Sequence, residues 1–157
     1  MASSPRRWQT CLTADRNAIQ LLGWNGREAA LSELGPGTHV LTNAGHTYPL
    51  AVGGSSHDKP DDKAVRFGPK FAASRPSGDP ETAALTDAWG DWLALAAGDG
   101  LAATEPGAII VRRELPDGRI YGSTSVTLIA LAADGRLRYD FQSDPPDPAT
   151  WYSVETT

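Results

Sequence analysis

The stretch AIIVRRELPDGRIYGSTSVTLIALAADGRLRYDFQ, residues 108–142, decides the fold class of this chain. It contains three segments rich in β-branched, aromatic and aliphatic residues, at 108–114, 119–133 and 136–142. Asp-Gly pairs lie between them, and such pairs are typical of the tight turns of β-hairpins. The stretch therefore predicts antiparallel strands joined by short turns, and an edge strand is predicted to follow at 151–155.

The last of these segments alternates strictly between apolar and polar side chains. Leu137, Tyr139 and Phe141 are separated by charged residues, among them Arg138 and Asp140. Because successive side chains of a strand point to opposite faces, this period of two indicates one buried and one solvated face. The pattern predicts the apolar set in the core and the charged set in water.

The N-terminal third also alternates between apolar runs and turn residues. Strands are predicted at 18–24, 27–34 and 38–43, joined by an Asn-Gly turn and a Gly-Pro-Gly turn in an antiparallel meander. Residues 1–10 are interpreted as a loose arm. The stretch 44–60, rich in glycine, proline and serine, is interpreted as a surface loop.

Two helices are predicted between the two groups of strands. Residues 61–76 carry aspartates early and basic residues late, which suits the helix dipole, while Gly68 and Pro69 should kink or split this helix. The second helix begins at the capping residue Asp79 and ends near Gly98. Its apolar face is formed by Leu85, Trp89, Trp92 and Ala96.

Strands grouped apart from helices indicate an α+β fold with antiparallel sheets and two helices, rather than a doubly wound parallel sheet. A chain of 157 residues is long enough to bury a core, and residues 1–157 are predicted to form a single domain. The formal net charge of −5 argues against a nucleic-acid partner, because phosphate binding needs a basic face. It also disfavours anionic membrane surfaces.

Cysteine usage and hydropathy predict a cytoplasmic location. The single cysteine, Cys11, cannot form a disulfide within the chain and suits a reducing compartment. It is interpreted as a buried or half-buried structural thiol. The N-terminus lacks the apolar segment of a secretory leader, and no apolar run is long enough to span a bilayer, so no membrane insertion is expected.

Few residues carry a recognisable chemical pattern. The histidines His39, His46 and His57 do not have the spacing of metal ligands, so no metal site is predicted. Gly122 lies in the middle of a predicted strand, which indicates either a β-bulge or a close approach of another backbone segment.

Three segments together resemble the NRDE family, also called the transport and Golgi organisation family. Residues 34–45, LGPGTHVLTNAG, are similar to a segment of that family in which a Pro-Gly turn leads into a strand ending in Ser/Thr-Asn. Residues 108–142 are similar to its closing hairpins, and residues 13–34 to the preceding strand pair. The composition, rich in alanine, glycine, proline, arginine and aspartate, resembles that of an actinobacterial member.

The resemblance implies the second half of an N-terminal-nucleophile (Ntn) hydrolase fold, an αββα sandwich of two sheets between helix layers. It makes Asn43 a candidate oxyanion donor for attack by an N-terminal cysteine. The family's initial Met-Cys and its Asn-Arg-Asp-Glu tetrad are not matched here, and Thr124 stands where an arginine is expected. The candidate ligand-binding residues are Tyr121, Gly122, Ser123, Thr124 and Ser125.

The leading hypothesis is an NRDE family protein of unknown biochemical role over residues 11–157, without its own nucleophile and not an enzyme alone. Such a chain would come from a late gene start or from divergence. Two alternatives stay open: a binding module for haem, a lipid or an acyl compound, and the second half of a cysteine amidase completed by another chain. No cofactor is expected outside the haem alternative. The expected partners are a second copy or a first-half chain, because an incomplete sandwich would leave open strand edges or an uncovered apolar face.

Overall fold

The computed structural model describes residues 9–15, 17–24, 27–42, 45–48, 62–82 and 84–155. The chain divides into two compact units, Met1–Gly68 and Pro69–Thr157, and each is described by itself. The described residues form antiparallel sheets and a few helices, which confirms the predicted α+β class. The single-domain assignment and the likeness to an Ntn sandwich stay predictions.

The first unit contains a meander of strands β1 (Gln9–Ala14), β2 (Ile19–Trp24) and β3 (Ala29–Leu34). β1 includes residues 9 and 10, so the predicted loose arm is wrong at these two positions, and residues 1–8 lie outside the described part. The Asp15 carboxylate accepts hydrogen bonds from the backbone N–H groups of Asn17 and Ala18, which turns the chain from β1 into β2.

The predicted third strand pairs differently from the expectation. β4 (Val40–Thr42) pairs with β5 (Gly45–Tyr48) and not with β3, so part of the predicted surface loop is strand. Between β2 and β3 the last described pair is Trp24 with Ala29, and the predicted Asn-Gly turn falls in the segment between them. Asn25 and Gly26 themselves lie outside the described residues.

Helix α1 (Asp62–Ala73) continues through Pro69, so the predicted split at this proline is wrong. Pro69 has no N–H to donate to the carbonyl four residues earlier, so the helix lacks one hydrogen bond at this point. Asp62 in the first turn and Lys70 in the last confirm the predicted charge arrangement. The buried residues are Ala64, Phe67 and Gly68. Val65 lies off this stripe and is exposed.

The predicted second helix is two short helices, α2 (Leu85–Trp89) and α3 (Asp91–Ala96). They are separated by Gly90, whose φ of 49° belongs to the left-handed region that breaks an α-helix and that glycine adopts readily. Asp79 does not cap either helix, and its carboxylate instead accepts from the backbone N–H of Glu81 in a local turn. The predicted apolar face nevertheless packs into the core.

Two small sheets complete the second unit. β6 (Arg112–Glu114) pairs with β7 (Ile120–Gly122). β8 (Val126–Leu131), β9 (Leu137–Gln142) and β10 (Trp151–Ser153) form a sheet of order β10-β9-β8, with β10 as the predicted edge strand. The single long strand predicted at 119–133 is interrupted at 123–125. Of the strand predicted at 108–114, only the part from Arg112 onward is a strand.

The β10-β9-β8 sheet has one face covered by α2 and α3, here called the helix-covered face, and an opposite face, here called the open face. Ala88, Trp89, Ala96 and Leu128 form the buried core, with Val126 and Trp151 packed against it. The cross-strand pairs place three polar residues of β9 on the helix-covered face: Arg138, Asp140 and Gln142.

This arrangement inverts the prediction for β9. Arg138 and Asp140 were expected in water, but their side chains are only 5% and 0% exposed. Leu137, Tyr139 and Phe141 were expected in the core, but they lie on the open face. The alternation shows which side chains share a face, but it does not determine which face the helices cover.

Candidate functional site

The centre of the helix-covered face is a buried polar cluster around Asp140. Its Oδ2 accepts hydrogen bonds from Trp89 Nε1 at 2.6 Å and from Arg138 Nε at 2.5 Å. Its Oδ1 accepts one from the Ser153 hydroxyl. Both carboxylate oxygens are therefore occupied by donors from three separate segments of the chain.

The Arg138 side chain also makes hydrogen bonds to a second segment of the chain. Its Nη1 donates to the backbone carbonyl oxygens of Asp79, at 3.0 Å, and of Thr82. These carbonyls belong to the turn that precedes α2, in which Asp79 bonds locally rather than capping a helix. The guanidinium therefore joins this turn to the sheet and neutralises the buried carboxylate.

The electrostatics of the cluster keep the Asp140 carboxylate ionised and paired with Arg138. Burial acts to raise the pKa of Asp140, but hydrogen bonds from Ser153, Arg138 and Trp89 outweigh it and lower the pKa below its ordinary value of 3.8. A carboxyl group that stays ionised and fully bonded is poorly suited to exchange protons with a substrate. We therefore assign the cluster a structural role.

Two further polar features lie in the second unit. The Nε2 of the buried Gln142 donates to the Asp147 carbonyl at 2.8 Å, whereas its Oε1 has no protein partner. A cavity of about 320 Å³ lies where β10 ends, with Glu81, Arg138, Ser153 and Glu155 among its lining residues. This lining does not favour an anionic ligand, because Glu81 and Glu155 are negatively charged and the Arg138 guanidinium is already paired with Asp140.

The open face of the same sheet is the second notable surface. It consists of seven uncharged side chains: Thr127, Ile129, Leu131, Leu137, Tyr139, Phe141 and Tyr152. Ile129 is 58% exposed and Tyr152 is 53% exposed. The rings of Phe141 and Tyr152 pack against each other with centroids 5.5 Å apart. A contiguous apolar patch of this kind is typical of an interaction surface.

The ligand-binding residues predicted from sequence are in part engaged in structural contacts. Gly122 passes so close to the preceding segment that an added Cβ would lie 2.8 Å from the Val111 carbonyl oxygen, which confirms the close-approach interpretation. The Ser123 hydroxyl accepts from Val111 N–H at 3.1 Å, and Ser123 N–H donates to Val111 O. The remaining three residues, Tyr121, Thr124 and Ser125, are exposed.

Asn43 lies outside the described residues, so its role as an oxyanion donor stays a prediction. Cys11 is exposed on β1, and the expectation of a buried thiol is wrong. The ring Nε2 of His39 lies 2.8 Å from the Gly35 carbonyl oxygen. Across the described ranges, no three His, Cys, Asp or Glu side chains are grouped so as to hold a metal ion.

Comparison with family models, with curated proteins and with solved structures finds no match to this chain. The NRDE resemblance therefore stays a proposal. Of the helices in the described part of the chain, none is long and apolar enough to cross a membrane.

Sequence patterns did not predict either surface of the β10-β9-β8 sheet. One signal for the buried cluster was present in the sequence. Arg138 and Asp140 are two positions apart on a strand, so their side chains share one face and can form an ion pair. Trp89 on a helix offered a donor, but its partner could not be identified from spacing alone.

Proposed function

We propose that this chain is a non-catalytic assembly module, an NRDE-like half of a two-sheet sandwich that is completed when a second sheet covers its open face. The observation that carries the proposal is the β10-β9-β8 sheet, which has helices on one face and exposed apolar side chains on the other. In a two-sheet sandwich between helix layers, each sheet has helices on one face and the second sheet on the other.

The composition of the two faces supports this assignment. The helix-covered face buries the charged pair of Arg138 and Asp140, whose carboxylate accepts hydrogen bonds at both oxygens, as a buried charge requires. The open face carries four exposed aliphatic or aromatic residues, Ile129, Leu131, Leu137 and Tyr152. Covering them with another apolar sheet would contribute on the order of 25 cal/mol for each Å² removed from water.

Catalysis by this chain alone is not part of the proposal. Among the residues that the structure describes, only Asp140 has a deeply buried carboxylate, and it is saturated with structural donors. Asn43 and the segment 121–125 keep their proposed roles in a completed sandwich, as an oxyanion donor and as ligand contacts. A binding role for haem, a lipid or an acyl compound would likewise belong to the completed form.

Thiol labelling tests whether the open face lacks a cover within the chain. In a Cys11→Ser background, Ile129→Cys and Leu128→Cys introduce thiols at neighbouring residues on opposite faces of β8. At submicromolar protein, Cys at 129 should react with a maleimide at nearly the rate of an unfolded control, and Cys at 128 should be strongly protected. Protection of both positions in the folded chain would overturn the proposal, because the open face would then be covered intramolecularly.

A further inference from the structure

We propose that the cavity at the end of β10 binds a small organic cation, in which a primary ammonium group and an uncharged carbonyl oxygen are carried on adjacent carbons. An α-amino amide has this chemistry, and so does the first residue of a peptide. Such binding goes beyond the proposed function and does not depend on it. The cavity volume of about 320 Å³ is at the lower end of the range for small-molecule sites.

The buried guanidinium of Arg138 supplies the first contact. Its side chain is only 5% exposed, and its Nε and Nη1 donate to Asp140 and to the carbonyls of Asp79 and Thr82. Its Nη2 makes no hydrogen bond within the part of the chain that the structure describes. In that part the buried side-chain atoms without a partner are two oxygens, so Nη2 still reaches solvent. Arg138 lines the cavity, and a ligand oxygen there would accept from Nη2.

The charge around the cavity favours a cation over an anion. Asp140 already neutralises the guanidinium, and the lining also contains Glu81 and Glu155. Glu81 pairs with Arg136 at 2.6 Å, whereas Glu155 is exposed and forms no ion pair with another described residue. The excess charge is therefore negative, which suits a ligand with a positive group and a neutral acceptor.

The strand register brings the two binding groups together. The Val154 N–H donates to the Tyr139 carbonyl at 2.7 Å, so the pairing of β10 with β9 continues beyond Ser153. The next cross-strand pair in this register is Glu155 with Arg138, and side chains of such a pair share a face with Cβ atoms about 5 Å apart. The ammonium group would therefore bind the carboxylate while the adjacent carbonyl oxygen accepts from Nη2.

Other small ligands fit this cavity less well. A free amino acid would bring its carboxylate close to Glu81 and Glu155. A metal ion offers Nη2 of Arg138 no acceptor, and the described residues contain no group of three side chains suited to hold one.

Titration of the ¹⁵N-labelled full chain with three probes, followed by amide chemical shifts, tests the proposal. Glycinamide carries both groups, ethylamine lacks the oxygen, and acetamide lacks the ammonium. Glycinamide should bind with a dissociation constant on the order of 1 mM and shift the amides lining the cavity, and each of the other two should bind at least tenfold more weakly. Absence of glycinamide binding at about 50 mM, or equal binding of either single-group probe, would overturn the proposal.

A matched pair of variants locates the site. Glu155→Gln removes the carboxylate and should weaken glycinamide binding at least tenfold. Glu105→Gln makes the same charge change at an exposed residue of the same unit that does not line the cavity, and should bind like the wild type. Equal weakening in both variants, or none in a folded Glu155→Gln, would refute the assignment. The comparison of probes in the wild type decides the matter if Glu155→Gln does not fold by circular dichroism.

A longer probe distinguishes the two sources of this chemistry. Alaninamide and trialanine amide share the same first residue, so both should shift the amides that line the cavity. Tighter binding of trialanine amide would assign the ligand to peptide amino termini, and weaker binding would assign it to free amino amides. Shifts confined to amides away from the cavity would overturn the proposal for both.

Discussion

The indole Nε1 of Trp89 donates a 2.6 Å hydrogen bond to Oδ2 of Asp140, joining residues that are 51 positions apart in sequence. Trp89 belongs to α2 and Asp140 to β9, so this bond fixes a helix to the sheet in addition to the apolar contacts around it. Because the acceptor is a charged group shielded from water, the bond should contribute more than an average hydrogen bond.

The Trp89→Phe variant should therefore lose substantial stability. It keeps an aromatic ring but removes the donor to Asp140, and we expect the free energy of unfolding to fall by about 1.5–3 kcal/mol beyond the effect of ring size. Urea denaturation followed by far-ultraviolet circular dichroism measures this loss. Trp92→Phe is the control, since its indole donates only a long 3.4 Å bond to the Ser74 carbonyl. An equal loss in both variants would contradict the assignment.

The lowered pKa of Asp140 predicts acid sensitivity. Burial alone would raise this pKa, but the bonds from Ser153, Arg138 and Trp89 lower it below 3.8. The stabilisation is therefore complete above the unfolded-state pKa and is lost as the pH falls from about 4 through the folded-state pKa. The free energy of unfolding should drop more steeply between pH 5 and pH 2.5 in the wild type than in Asp140→Asn.

The surface carboxylate of Asp134 provides the control for this pH dependence. Hydrogen bonds from the backbone and side chain of Arg136 lower its pKa too, but the pair lies in solvent. Asp134→Asn should retain most of the wild-type acid sensitivity. Equal flattening of the pH profile by the two variants would show that Asp140 has no special role.

Side-chain truncation should cost much more stability on one face of β8 than on the other. Leu128 is 7% exposed and packs in the core, so Leu128→Ala should cost about 2–5 kcal/mol of unfolding free energy. Ile129 is 58% exposed on the open face, so Ile129→Ala should cost less than about 1 kcal/mol in dilute solution. Denaturant titration at 1 μM protein compares them, and similar losses would mean that the open face is covered.

The close approach at Gly122 predicts intolerance to a methyl group. In Gly122→Ala the new Cβ would lie 2.8 Å from the Val111 carbonyl oxygen, so the backbone must shift, at a cost of about 1–3 kcal/mol. Gly35→Ala is the control, because no atom lies within 4 Å of a Cβ built there. Thermal denaturation should show a lower midpoint only for Gly122→Ala, and an unchanged midpoint would argue against the close contact.

Much of the local structure could be predicted from sequence, because it depends on neighbouring residues. The period of two identified β9, and the edge strand at its C-terminal side was placed correctly. The break between α2 and α3 was missed, since Gly90 inside a helical pattern is tolerated in many helices and here adopts a φ of 49°. The partner of β4 was also missed, because strand pairing depends on contacts that no local pattern encodes.

By itself the sequence determined which side chains of β9 share a face, because strand geometry forces alternation. Only the tertiary structure decided which face is buried. Arg138 and Asp140 lie inside because Trp89, Ser153 and the carbonyls of the turn before α2 satisfy their hydrogen bonds. A buried charge is tolerated where donors and acceptors converge on it, and that convergence arises from segments distant in sequence. The same packing leaves the apolar side chains of β9 on the open face.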